Sequence, residues 1–353
     1  MHTGWRKCVV FFMLFCFPNG VSLTCVPKDR WFFFGVRVPK ALVFSVAGNW
    51  HLCCRGFPPE EAMDIHPSYL TPEAIAHFIG EALKEDLGDG DHSSLGSVPA
   101  SAVNSALLWV KEEGVLAGTE LAGLIFRQVD SGLQTEFFIA DGSVVKKGDM
   151  ALRVSGSARS ILAAERLVLN CMQRMSGIAT RTRRLQEMIA HTPARVLDTR
   201  KTSPNSRLIE KWAVRIGGGL NHRYALYDMV MLKDNHIDFA GGITPALQSV
   251  RRYLKETGRS LRVEVETRNL TELEEALACG LADIIMLDNF TTGDMHQAVR
   301  LAGGRVPLEA SGNVREETIV AIAETGVDFI SVGALTHSYK SLDLSLKAER
   351  RHV

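Results

Sequence analysis

Basic residues stand directly behind several short apolar runs in the second half of the chain. Val196-Leu197 lead into Asp198-Thr199-Arg200-Lys201, and residues 229–232 lead into Lys233-Asp234. Between them, Gly217-Gly218-Gly219 precede Asn221-His222-Arg223. A guanidinium grips a carboxylate or phosphate through two parallel hydrogen bonds, and a histidine adds a charge-assisted donor. Arg200, Lys201, Arg223 and Lys233, with His222, therefore form an anion site wherever their loops converge. Taken alone, Arg200-Lys201 would read as a solvated surface pair; the other cations weigh against that reading.

Acidic and small residues follow the same rule. Glu264 and Glu266 lie two apart in the run 263–266, so they share one face of a strand, about 7 Å apart. Carboxylates on a buried face need a cation or a metal. Glu264 reads equally as one half of a structural ion pair with Lys233 or Lys201. Glu266, nearer the active end, joins Asp288 in holding ribose hydroxyls or Mg2+, an ion satisfied by one or two carboxylates plus substrate phosphates. Ser311-Gly312-Asn313 and Gly333-Ala334 end the last two runs, where free backbone N–H groups build a phosphate cradle. The three consecutive glycines are expected to let backbone approach a ligand closely. Arg183-Arg184 reads as solvated surface. With no Gly-x-Ser-x-Gly elbow, Walker loop or zinc-spaced cysteines in the chain, such a site works by positioning and charge stabilisation.

Six apolar runs must carry these groups: residues 196–197, 229–232, 263–266, 284–287, 306–309 and 329–332. As parallel strands they direct their C-terminal ends to one face, the face where barrel enzymes do their chemistry. The helical patterns between them, such as 270–279 with Leu273, Ala276 and Leu277 on one side, form an outer layer. Upstream, Pro72-Glu73 start an amphipathic helix that stops at Gly88. Residues 103–154 read as a β-rich domain with one early helix, and residues 158–189 as helical, broken at Ser176-Gly177. The chain of 353 residues thus divides into a first domain over 63–178 and a second over 179–336, with 337–353 returning to the first.

Lys plus Arg equals Asp plus Glu at 40 each, which argues against a partner held by bulk charge, nucleic acid or membrane surface alike. Residues 1–62 differ from the rest, holding nine of the 16 Phe and five of the seven Cys. Cys171 and Cys279 alone remain in the body, as in a protein of the reducing cytoplasm. Arg6-Lys7 and the run after them imitate a signal peptide, but Pro18-Asn19-Gly20 interrupt the run too early for a membrane span. The expectation for 1–62 is an atypical extension: a mis-assigned start, with Met63 as the true first residue, or a disordered lead.

Over residues 67–347 the chain resembles the quinolinate phosphoribosyltransferase family. The resemblance rests on Ala164-Glu165-Arg166, Ser176-Gly177-Ile178, Asp198-Thr199-Arg200-Lys201-Thr202, Gly218-Gly219-Leu220-Asn221-His222-Arg223 and Leu232-Lys233-Asp234-Asn235-His236. Val263-Glu264-Val265-Glu266, Leu287-Asp288-Asn289-Phe290 and Glu309-Ala310-Ser311-Gly312 complete it, while His92-Ser93-Ser94 departs from the usual Ile/Val-Thr-Ser. It implies an α/β protein: an N-terminal α/β sandwich and a C-terminal incomplete α/β (TIM-like) barrel. It also implies a homodimer or higher assembly with shared active sites, in which Arg166 reaches the substrate of the partner subunit.

By the same resemblance, Arg200, His222, Arg223 and Lys233 bind substrate carboxylates and phosphates, and Lys201 sits close to the reacting centre. Glu266 and Asp288 hold ribose and Mg2+; Ser311, Gly312 and Gly333 hold the 5-phosphate, with Asn313 also among the substrate-binding residues. The implied reaction joins quinolinate to phosphoribosyl pyrophosphate with loss of CO2 and pyrophosphate, Mg2+ accompanying the phosphates and no organic cofactor. The rival readings are a paralogous phosphoribosyltransferase for another aromatic acid and a non-catalytic binding protein of the same fold.

Overall fold

The computed structural model describes residues 11–17, 20–26 and 66–349. It separates into two units, Met1–Leu52 and Cys53–Val353. In the first, β1 (Phe11–Phe17) pairs antiparallel with β2 (Gly20–Val26), Phe11 facing Val26 in register. The expectations of a displaced start at Met63 or a disordered lead fall mostly outside the described residues.

In the second unit α1 (Pro72–Leu87) opens with the Thr71 hydroxyl accepting from the Ala74 N–H at 3.2 Å and Pro72 in its first turn, and Gly88 ends it at φ 53°. Next come α2 (His92–Ser97), β3 (Val103–Val110), β4 (Gly114–Val115), α3 (Thr119–Val129), β5 (Gln134–Phe137), β6 (Val144–Val145) and β7 (Met150–Ser157). The single early helix expected here is therefore accompanied by α2 and α3. Leu121, Ala122, Ile125 and Phe126 form a completely buried stripe on α3, a helical spacing inside a segment otherwise punctuated like strands.

The helix α4 (Ala158–Met188) runs unbroken through Ser176-Gly177, where the sequence suggested an interruption. The Ser176 hydroxyl accepts from Ala117 N at 2.9 Å and donates to Ala117 O at 3.2 Å. At Gly177 the C-terminal segment passes so close that a Cβ would lie 2.9 Å from the Lys340 carbonyl carbon. Both small residues permit close packing rather than a break. The 178/179 boundary therefore lies inside one continuous helix.

The barrel strands are β8 (Arg195–Leu197), β9 (Val230–Leu232), β10 (Val263–Thr267), β11 (Ile284–Asp288), β12 (Leu308–Ser311) and β13 (Phe329–Ser331). Between and after them lie α5 (Arg207–Ile216), α6 (Asp234–Ala240), α7 (Ile243–Thr257), α8 (Leu270–Cys279), α9 (Thr292–Ala302), α10 (Glu316–Ala323) and α11 (Ala334–His337). The sheet order is β8-β13-β12-β11-β10-β9, every pair parallel. The first strand therefore meets the last, and only β8 and β9 fail to pair. Residue Leu220 bridges Leu197 at that gap, with Leu220 N bonded to Val196 O at 2.9 Å. The barrel is incomplete where Asn221-His222-Arg223 enter.

Finally β14 (Leu344–Ala348) pairs antiparallel with β3, giving a second sheet of order β14-β3-β7-β5. No helix among the described residues is long and apolar enough to cross a membrane.

Candidate active site

Every barrel strand, or the loop directly after it, contributes to a single cleft of about 710 Å³. Arg200 and Lys201 follow β8, Lys233 follows β9, Glu266 lies in β10, Asp288 ends β11, Ser311 ends β12, and Gly333 follows β13. His222, Arg223, Gly312 and Asn313 also line it. Of the residues given a substrate-binding role by the sequence, Arg166 lies elsewhere, exposed on α4. Arg315 and His337 line the cleft too and were missed; both follow late strands by a few residues, which was the available signal.

A buried ion pair fixes the loops. The carboxylate of Asp198, wholly inaccessible, accepts from Lys211 Nζ at 2.5 Å, Asn221 Nδ2 at 2.6 Å and His222 N at 2.9 Å. Lys211 Nζ also donates to His222 O at 3.0 Å, and Tyr69 OH to Asn221 Oδ1 at 3.0 Å. Burial pushes the Asp198 carboxyl upward against the pull of Lys211 and the N–H donors. The segment 221–223 is thus tied to β8 through one side chain. Lys211 and Asp198 escaped notice as functional residues because each only acts on its neighbours.

The Lys201 loop is held by Thr336 Oγ1 donating to Lys201 O at 2.9 Å, and by Lys201 N donating to Thr199 Oγ1 at 3.0 Å. A Cβ on Gly333 would stand 3.0 Å from Lys201 Cδ, so glycine there leaves room for the lysine. The buried Nε atoms of Arg200 and Arg223 have no hydrogen-bond partner among the described residues. Burial, then Arg200, lowers the Arg223 guanidinium from its usual range. An anion seated between the two would satisfy both donors and relieve the repulsion.

Lys233 Nζ pairs with Glu266 Oε2 at 3.0 Å, and Asn289 Nδ2 donates to Asp288 Oδ2 at 2.8 Å. Asn289, Gly312 and Asn313 have φ of 56°, 97° and 50°, a left-handed turn geometry that suits these residue types at the mouth of the barrel.

Three expectations need correction. The glycine run does not clear space for a ligand: a Cβ on Gly217 would meet Ala179 O at 2.6 Å, and one on Gly219 would meet Thr182 Cγ2 at 2.7 Å. These glycines let the loop pack on α4. Arg183 is not free surface, since its Nε donates to Gly217 O at 3.2 Å, whereas Arg184 does make an exposed pair with Glu316 at 2.7 Å. Glu264 pairs with neither lysine. Its Oε2 lies 2.7 Å from His222 Nε2, and Glu309 Oε2 lies 3.6 Å from the same nitrogen.

Glu264 and Glu309 are completely buried. Burial, then the neighbouring Glu264, pushes the Glu309 carboxyl up to about 8. Burial pulls the His222 imidazole down, but Glu309 and Glu264 outweigh it and raise it above its usual value. Between the ordinary carboxyl value of 4.5 and about 8, the folded chain binds a proton at Glu309 that the unfolded chain releases. Stability therefore falls as pH rises through that window, and loss of the His222 proton above its own ordinary value acts in the same direction. We expect the melting temperature to decline from about pH 5 to about pH 8 and the decline to flatten in Glu309→Gln. A variant retaining the full slope would place the responsible group elsewhere.

His222, Glu264 and Glu309 are, among the described residues, a group of three metal-ligand types within 4.8 Å of one another. The donors better suited to Mg2+ are Glu266 and Asp288: oxygen-only, both lining the cleft, and few enough for phosphates and water to complete the shell.

Comparison with known proteins gives the family. The family models described as quinolinate phosphoribosyl transferase, N-terminal and C-terminal domain, match residues 91–176 and 178–347. The nicotinate-nucleotide pyrophosphorylase (carboxylating, chloroplastic) of Oryza sativa subsp. japonica is 50% identical over 351 residues, covering 95% of this chain and 90% of its own. Residues 63–353 make up only about 82% of the chain, so that alignment enters the first 62 residues. A Nicotiana tabacum quinolinate phosphoribosyltransferase (decarboxylating, 1b) is 48% identical over 299 residues, covering 80% of this chain and 84% of its own. The solved nicotinate-nucleotide pyrophosphorylase of Francisella tularensis superposes with a TM-score of 0.75 at 40% identity, covering 81% of this chain and 99% of that one. With the two family models matching residues 91–176 and 178–347 in succession and a relative 50% identical over 95% of the chain, the chain belongs to the quinolinate phosphoribosyltransferase family.

Proposed function

We propose that the protein transfers phosphoribosyl from phosphoribosyl pyrophosphate to the nitrogen of quinolinate, releasing pyrophosphate and CO2 and leaving nicotinate mononucleotide, a step of NAD biosynthesis. The observation that carries this reading is the convergence of Arg200, Lys201, His222, Arg223 and Lys233 with Glu266 and Asp288 in one cleft. Two highly negative reactants need such a set of cations to be desolvated and aligned side by side. Arg200, His222 and Arg223 take the carboxylates of quinolinate; Lys201 and Lys233 face the phosphate groups. Backbone N–H groups around Ser311, Gly312, Asn313 and Gly333 take the 5-phosphate.

As the bond from ribose C1 to pyrophosphate breaks, positive charge grows on the sugar, and the carboxylates of Glu266 and Asp288 stabilise it. The pyridine nitrogen bonds to C1. The pyridinium so formed accepts the electron pair left when the 2-carboxylate departs as CO2, and a proton then replaces the carboxylate on C2. The reaction needs no organic cofactor. Glu266 and Asp288 would hold Mg2+, which supplies neutralising charge to the pyrophosphate. Purified protein given quinolinate, phosphoribosyl pyrophosphate and Mg2+ should release CO2 and pyrophosphate in equal amounts. Turnover of nicotinate instead of quinolinate would overturn the assignment.

The assembly we infer is a homodimer or larger, with Arg166 supplied to the partner subunit's cleft; its exposure on α4, away from its own cleft, supports this. Arg166→Ala and Lys201→Ala should each abolish activity, and mixing the two subunit types should restore about a quarter of it, because half the dimers then carry one intact site of two. No recovery on mixing would exclude a shared site.

The compartment we infer from the free Cys171 and Cys279 is a reducing one, the cytosol. A chloroplast or mitochondrion, named for several relatives, is the rival. The seven basic residues and single acid within residues 1–59 favour that rival, as does the alignment that enters them. A fluorescent fusion of the full chain that enters an organelle, while the chain lacking residues 1–62 stays outside, would exclude the cytosol.

A further inference from the structure

A second cavity of about 380 Å³ lies at the opposite end of the barrel interior, lined by residues at strand starts such as Ile284 and Phe329. His222, Arg223 and Glu309 line both this cavity and the cleft. His222 therefore borders both spaces although its side chain is only 8% exposed. What contacts its Nε2 is a pair of acids from two strands separated by β11: Glu264 on β10 at 2.7 Å and Glu309 on β12 at 3.6 Å. The other ring nitrogen makes no hydrogen bond among the described residues.

These acids are poor structural elements. Both are inaccessible, and neither forms an ion pair with Arg or Lys among the described residues. Glu264 Oε1 and both Glu309 oxygens lack hydrogen-bond partners there. Apolar residues of similar volume would stabilise such a site better. The arrangement makes sense through what it does to the imidazole.

We propose that Glu264 and Glu309 are positioning residues that hold the His222 ring by its Nε2 edge, presenting the opposite nitrogen as a donor to one carboxylate of the substrate in the cleft. The proposal rests on the quinolinate reading above. Neither acid touches substrate; each acts through His222. The consequence is selective: the binding of the aromatic acid depends on these residues, and the binding of the phosphorylated sugar at the other side of the cleft does not.

The test is steady-state kinetics of the full chain with Glu309→Gln, Glu264→Gln, His222→Ala and the two double variants that combine a Gln with His222→Ala. Glu264→Gln should raise the KM for quinolinate about tenfold, the worth of one charge-assisted hydrogen bond, and Glu309→Gln, whose acid stands beyond hydrogen-bond distance, by a smaller factor, with kcat and the KM for phosphoribosyl pyrophosphate within about twofold in both. In the His222→Ala background neither Gln should add anything further. An equal shift in both KM values, or a full additional effect in that background, overturns the proposal. Should Glu309→Gln fail to fold by thermal melting, Glu264→Gln decides on the same readouts. If the unaltered protein does not turn quinolinate over, the reaction itself is misassigned. Calorimetric titration with quinolinate then still tests the positioning role, and equal affinities for the unaltered and Gln proteins would overturn it.

Discussion

Arg223→Ala is expected to weaken quinolinate binding by about 2–4 kcal/mol, roughly 30- to 1000-fold, while leaving the fold intact. The affinity loss follows from the chemistry: a planar fork with a buried, unpartnered Nε faces the cleft beside Arg200, and alanine supplies neither charge nor donors. The fold survives because Arg223 contributes little to it. Its hydrogen bond to the protein is Nη1 to Met229 O at 3.3 Å, and Arg200 repels it. Calorimetric titration at fixed salt, with thermal melting alongside, separates the two effects. Arg223→Lys should recover only part of the affinity, since an ammonium keeps the charge but loses the bidentate geometry. Unchanged affinity in Arg223→Ala would mean that the substrate binds elsewhere.

The largest effect on stability is expected at Asp198. Removing this carboxylate strands the Lys211 ammonium in a wholly inaccessible site, a loss of about 3–5 kcal/mol. For a chain of this size that corresponds to a fall in melting temperature of roughly 4–8 °C. Asp198→Ala with Lys211→Met removes both charges and should recover most of the stability. Activity should not return with it, because Asn221 Nδ2 and His222 N lose their acceptor in either variant. A double variant as active as the unaltered protein would show that the loop 221–223 is held by other contacts.

The strands were legible because their signal is local. The runs are short and apolar, those of β10 to β13 are buried along nearly their whole length, and they end on polar residues; strand alternation places Val263 and Val265 on the face opposite Glu264 and Glu266. The same locality explains why α3 was passed over: its buried stripe lies between glycine-bounded strands, and turn residues on either side masked the helical spacing. The continuity of α4 through Ser176-Gly177 was illegible for a different reason. Helix-weakening residues there answer to Ala117 and Lys340, 59 and 163 positions away in the chain.

Within the cleft, residue type and position relative to a strand end were enough to name Arg200, Lys201, His222, Arg223, Lys233, Glu266 and Asp288. A polar group at the C-terminal end of a parallel strand has nowhere to point except the shared face. Partnerships were another matter. Whether Glu264 meets a lysine or His222, whether three glycines face a ligand or α4, and whether a second acid from β12 joins the cluster all depend on how far the sheet closes. The sequence by itself therefore determined which groups reach the barrel mouth, because strand direction and alternation are properties of a few consecutive residues. Only the tertiary structure decided which of them touch, because those distances follow from the gap between β8 and β9 and from the loop that fills it.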